Sequence, residues 1–134
     1  MVMSKVPVYF MPGLAASPTI FENIKLPEDQ FEMHFLEWFL PNDKESIESY
    51  ALRMTEKIQD ENPVLVGVSF GGILVQEMAK HIKTQKVIII SSVKSNTEFP
   101  PRLKIARATK AYKLLQTQLL SNVELLVKYA YENT

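Results

Sequence analysis

The residues best suited to covalent chemistry are Gly67-Val68-Ser69-Phe70-Gly71, followed by Gly72. Together they spell G-x-S-x-G between an apolar run and an amphipathic one. A serine at a very sharp strand-to-helix turn sits in a strained backbone conformation, and its hydroxyl is pushed out above the sheet. Its neighbours two positions before and after must be small, because strand and helix come close there. The helix N-terminus beneath presents free N–H groups and a positive dipole end, where a developing oxyanion can be stabilised. The chemistry expected is therefore nucleophilic attack by Ser69. Other reactive groups are scarce. The chain has no cysteine, which excludes a thiol nucleophile, a disulfide scaffold and a Cys-ligated metal. It has two histidines, His34 and His81, which excludes a His-rich metal site. No cofactor and no metal are expected.

The elements that must hold Ser69 can be read on either side of it. Val64 to Val68 is apolar throughout, as a strand covered on both faces would be. Leu74, Met78 and Ile82 follow at helical spacing, and Val87 to Ile90 reads as a fourth, fully buried strand closed by Ser91-Ser92. Upstream, Val6 to Met11 reads as a strand ended by Pro12-Gly13, with Pro7 confined to its first residues. Ser17-Pro18 predicts an N-cap and a first helical position, with a helix running to about Asn23. Phe31 to Phe39 is the second strand, and Asn42-Asp43 offers a turn and a cap. Ile47, Tyr50, Ala51, Met54 and Ile58 then line one face of a helix. Strands alternating with helices predict an α/β fold: an open parallel sheet of about four strands with helices on both faces.

A second segment, Phe10-Met-Pro-Gly13-Leu14-Ala-Ala-Ser17, follows the first strand. With the G-x-S-x-G turn it resembles the α/β-hydrolase fold family over roughly residues 6–95. The resemblance implies a serine hydrolase acting on an ester, thioester or related acyl substrate. It implies Ser69 as the nucleophile and the backbone N–H groups of Leu14 and Phe70 as oxyanion donors. Gly13, Gly67, Gly71 and Gly72 become the small residues the site requires, and Pro12 stands where the family usually has a histidine. It also implies a sheet in which the second strand flanks the first, with the third and fourth on the other side. The crevice between the first and third strands is then the place where open α/β sheets put ligands.

The family's acid and histidine follow the nucleophile in the chain. Here no histidine lies beyond His81. His81, on the helix after Ser69, is about 18 Å along it, and His34 is two strands away, about 9–10 Å. Both exceed the roughly 3 Å that a general base needs. Glu98 stands where some relatives place the acid but has no histidine to orient. The chain is thus expected to be truncated, carrying the nucleophile and oxyanion loop without the proton-transfer pair. The alternative is a non-catalytic hydrolase core that persists as a homo-oligomer through an exposed edge strand or its C-terminal helices.

After Pro100-Pro101 the pattern becomes helical, so residues 1–99 are read as the core and 100–134 as a helical appendage; the resemblance implies that this appendage is lid-like, with Tyr112 covering an acyl pocket. Net charge is zero over 134 residues, yet Arg102, Lys104, Arg107, Lys110 and Lys113 cluster without an acid among them. That cluster reads as the solvated face of a helix. Its near-lack of interleaved aromatics argues against nucleic-acid binding. There is no dinucleotide or phosphate-loop motif, which argues against a flavodoxin-like binding domain. No apolar run reaches the roughly 18 residues of a membrane span, and no signal peptide is legible. A cytoplasmic protein is expected.

Overall fold

A computed structural model describes residues 3–14, 16–92 and 94 of the chain. The expected lid at 100–134, with Tyr112 and the basic cluster, and Glu98 lie outside the described residues.

The described residues form an α/β fold. Its four strands are β1 (Val6–Met11), β2 (Phe31–Phe35), β3 (Val64–Val68) and β4 (Lys86–Ile90), and its helices are α1 (Ile47–Thr55) and α2 (Phe70–Met78). The sheet order is β2-β1-β3-β4, and all three pairings are parallel. Pro7 sits at the second residue of β1, opposite Glu32. Met11 pairs with Gly67, which brings the ends of β1 and β3 level at the site.

Direction of travel across the sheet decides which face each connection covers. From β1 the chain moves outward to β2, then back past β1 to β3 and on to β4. Right-handed crossovers place the first connection on one face and the next two on the other. On the second of these faces Tyr9, Met11 and Leu65 pack beneath Tyr50, Ala51 and Met54 of α1 and Leu74, Val75 and Met78 of α2. On the first, Val8, Phe10, Val64 and Val66 pack against Phe21.

Four expectations need correction. The connection after β1 is a single 3₁₀ turn, Pro18–Phe21, capped by Ser17, and not a helix to Asn23. Phe21 is its one buried side chain, too little apolar contact to offset the cost of nucleating an α-helix. Among the described residues, α-helices therefore cover one face only. β2 ends at Phe35, because the chain turns off the sheet edge to bury Leu36 and Trp38 against α1. The cap of α1 is Ser46, whose Oγ accepts from Ser49 N at 3.1 Å, while Asn42 makes only the preceding turn. β4 is not fully buried. Val87 and Ile89 pack on the core, but Ile88 and Ile90 are 40% and 41% exposed.

Glu45 is the one buried charged residue among the described residues. Its carboxylate accepts from Arg53 Nε and Nη2 at 2.7 and 2.6 Å and from Asn42 N at 2.8 Å. These bonds tie the 39–45 loop to α1. The hydrogen bonds from Arg53 hold the Glu45 carboxyl below its ordinary value of 4.5, against the opposing effect of burial. A carboxyl whose pKa is lower folded than unfolded stabilises fully above its unfolded value, and that contribution fades as pH falls through the folded value. Glu45→Gln should cost roughly 1.5–3 kcal/mol at pH 7. The gap from wild type should narrow toward pH 3, as read by urea denaturation at both values.

Candidate active site

One residue makes the whole transition from strand to helix. β3 ends at Val68 and α2 begins at Phe70, leaving Ser69 alone between them. Its backbone adopts φ 54° and ψ −123°, a region that L-residues rarely enter. Of the four positive-φ residues among those described, Ser69 and Ser91 both lie at this end of the sheet.

The turn is held from three directions. Ser69 N donates to Ile90 O at 2.9 Å, continuing the β3–β4 pairing. Ser69 O accepts from Gly72 N at 2.9 Å and from the Ser92 hydroxyl at 2.7 Å. The Ser69 side chain makes no capping hydrogen bond to α2, so its hydroxyl is not spent on the helix.

All four glycines of the chain are at this site, and three are needed for close approach. No glycine has positive φ, so unusual backbone conformation is not the reason for them. A Cβ on Gly67 would come within 2.6 Å of Gly72 Cα. One on Gly71 would lie 2.6 Å from Met11 O and closer still to Pro12 O. One on Gly72 would lie 2.6 Å from Ser92 Cβ. The first turn of α2 thus presses directly onto the ends of β1 and β3. Gly13 is different, because a Cβ there would be in ordinary contact with Ser69 Cβ at 3.6 Å. The loop after β1 therefore lies beside the serine, as its position in the sheet requires.

The loop itself is braced from the core side. Trp38 Nε1 donates to Gly13 O at 2.8 Å and to Pro12 O at 3.2 Å, and Ala16 N also donates to Gly13 O, at 2.9 Å. The Trp38 ring lies 5.7 Å from that of Phe70 and 5.8 Å from that of Tyr50, centroid to centroid. Leu14 and Phe70 are both half-buried against the same core. The structure thus brings Gly13, Leu14, Gly67, Ser69, Phe70, Gly71 and Gly72 together at the carboxyl ends of β1 and β3.

Two participants were not found by sequence reasoning. Trp38 is the chain's only tryptophan, and a buried indole N–H needs a partner, yet nothing in the sequence names that partner. Ser92 was read only as the end of a strand.

Neither histidine joins the site. His34 lies on β2, two strands from β3, stacked on Tyr9 at 4.5 Å and 14°. Its Nε2 is buried without a hydrogen bond, 3.5 Å from oxygens of Glu32 and Asp60. Tyr9 donates to Asp60 at 2.5 Å, and burial first, then this bond, pushes its phenol pKa up. The cluster is packing on the α1 face, at the end of β3 opposite Ser69. His81 lies past the end of α2, exposed. Among the described residues no group of three or more His, Cys, Asp or Glu could hold a metal ion. No helix among them is long and apolar enough to cross a membrane.

No protein-family model matches the chain, and no curated protein matches it.

The glycine geometry makes a graded expectation. Gly71→Ala should destabilise by at least about 3 kcal/mol, because the obstacle is backbone on a neighbouring segment. Gly13→Ala should cost less than about 1 kcal/mol. Equal costs in chemical denaturation would overturn the close-approach account.

Proposed function

We propose that the chain is the nucleophile-bearing part of a serine hydrolase acting on an ester, thioester or related acyl substrate. The observation that carries this reading is the Ser69 backbone at φ 54° and ψ −123°, alone between β3 and α2, with its hydroxyl unused by the helix. Strain of this kind costs about 1–3 kcal/mol and persists only where surrounding structure over-determines it.

In this reading Ser69 Oγ attacks the acyl carbonyl carbon. The carbonyl oxygen takes up negative charge and accepts from the N–H groups of Leu14 and Phe70. Phe70 N belongs to the free N-terminal turn of α2, so it also carries the helix's partial positive charge. Collapse of the tetrahedral intermediate expels the alcohol or thiol and leaves an acyl-serine, which water then hydrolyses. The proton of Ser69 needs an acceptor within about 3 Å, and neither His34 nor His81 is placed to be one. The reading assigns that base and its carboxylate partner to sequence outside these 134 residues.

At alkaline pH, where solvent hydroxide stands in for the missing base, a fluorophosphonate probe in excess should form an adduct at Ser69, found by peptide mapping and absent from Ser69→Ala. Preference for Ser69 over the chain's other serines should be at least about tenfold, since the oxyanion donors favour the phosphonyl oxygen there. Indiscriminate labelling, or an adduct that survives Ser69→Ala, would sink the reading.

A second reading has its own observation. Among the described residues β4 is an edge strand, with Ile88 and Ile90 exposed on one face. Exposed apolar edges invite pairing with another chain, which fits a non-catalytic core that persists as a homo-oligomer. Light scattering at tens of micromolar should then give a dimer or larger species, reduced by Ile88→Lys. A clean monomer for the wild-type chain counts against it.

A further inference from the structure

We infer that Trp38 is the positioning residue of the oxyanion pocket: its indole N–H sets the direction and strength of the Leu14 N–H donor. The inference rests on the reading of Leu14 and Phe70 as donors and adds the part that aims them.

Peptide geometry carries the first step. Gly13 O and Leu14 N belong to one peptide unit, and among the described residues no peptide bond is cis. In a trans peptide the C=O and N–H point in opposite directions. Trp38 Nε1 donates to Gly13 O at 2.8 Å from the buried side. The Leu14 N–H must therefore point away from Trp38. With Ala16 N on the same oxygen, Gly13 O carries two hydrogen bonds. Hydrogen bonds along a chain polarise one another, so donation to this carbonyl makes the Leu14 N–H a stronger donor.

The indole is itself held firmly. It is 8% exposed. The next residue, Phe39, is gripped at both backbone groups by the Tyr50 hydroxyl, which accepts from Phe39 N at 2.9 Å and donates to Phe39 O at 2.7 Å. Tyr50 lies on α1, so the loop after β1 takes its orientation from a helix of the core. The other face of the arrangement reaches Phe70, whose ring packs on Trp38 and whose N–H is the second donor. One side chain thus bonds the Gly13–Leu14 peptide at its carbonyl and packs on Phe70, the second donor residue.

The test separates the N–H from the ring. Trp38→Phe removes the donor and some packing. Replacing Trp38 by its benzothienyl isostere removes only the donor and guards against a variant that fails to fold. Labelling of Ser69 by a fluorophosphonate should fall roughly tenfold in the isostere, less than loss of a whole oxyanion donor. The Leu14 backbone amide should also shift in a ¹⁵N correlation spectrum, while α2 amides stay in place. Wild-type labelling rates in the folded isostere would overturn the inference, whatever its stability. If the wild-type chain forms no adduct at Ser69 even at alkaline pH, the nucleophile reading has failed and the Leu14 amide decides the remainder: a shift supports the role of Trp38, and an unmoved resonance overturns it.

Discussion

Everything at this site depends on how closely the first turn of α2 approaches the ends of β1 and β3. Gly71 lies against the carbonyls of Met11 and Pro12, and Gly67 against Gly72. At that distance the chain has one residue in which to pass from strand to helix, and Ser69 takes the strained conformation that results. The cost, about 1–3 kcal/mol, is outweighed by what the close approach allows. Leu74, Val75 and Met78 of α2 are fully buried, each contributing about 1.5–3 kcal/mol. The bonds from Gly72 N and Ser92 Oγ to Ser69 O then keep the turn in a single geometry.

The two faces of the sheet divide the work. The face under α1 and α2 holds the larger core and, through Tyr50 and Trp38, braces the loop beside Ser69. The opposite face is built around Phe10 and Phe21, whose rings lie 5.1 Å apart, under a single 3₁₀ turn. This asymmetry follows from topology. Two right-handed crossovers run toward β4 and carry α-helices, whereas the one toward β2 carries only the 3₁₀ turn Pro18–Phe21.

Much of this was legible from residue types. β1, β3 and α2 have unambiguous patterns, and the turn between them carries a spacing with a physical reason. The strand order was also anticipated, although from a resemblance and not from periodicity. What was not legible involves competition between distant segments. Phe31 to Phe39 reads as one strand, but Leu36 and Trp38 find better burial against α1, and that preference is invisible in the segment itself. Ile88 and Ile90 look as buried as Val64 and Val66, because an apolar run does not say what stands on each side of it. Asn42-Asp43 read as the cap, and only the position of Ile47, Tyr50 and Met54 against the sheet sets the helix start at Ser46 instead.

The sequence by itself determined that Ser69 and its small neighbours would sit at a strand-to-helix turn. Local sterics suffice for that: small residues two positions either side of a serine, between an apolar strand and an amphipathic helix, leave few other conformations. Tertiary structure alone decided what surrounds the serine. The loop after β1 reaches Ser69 because β1 and β3 are neighbours in the sheet, 56 residues apart at Met11 and Gly67. The indole that orients the loop comes from a third segment, and the hydroxyl on the Ser69 carbonyl comes from a fourth. Such contacts are fixed by burial and hydrogen-bond satisfaction across the whole fold, and no window of sequence contains both partners.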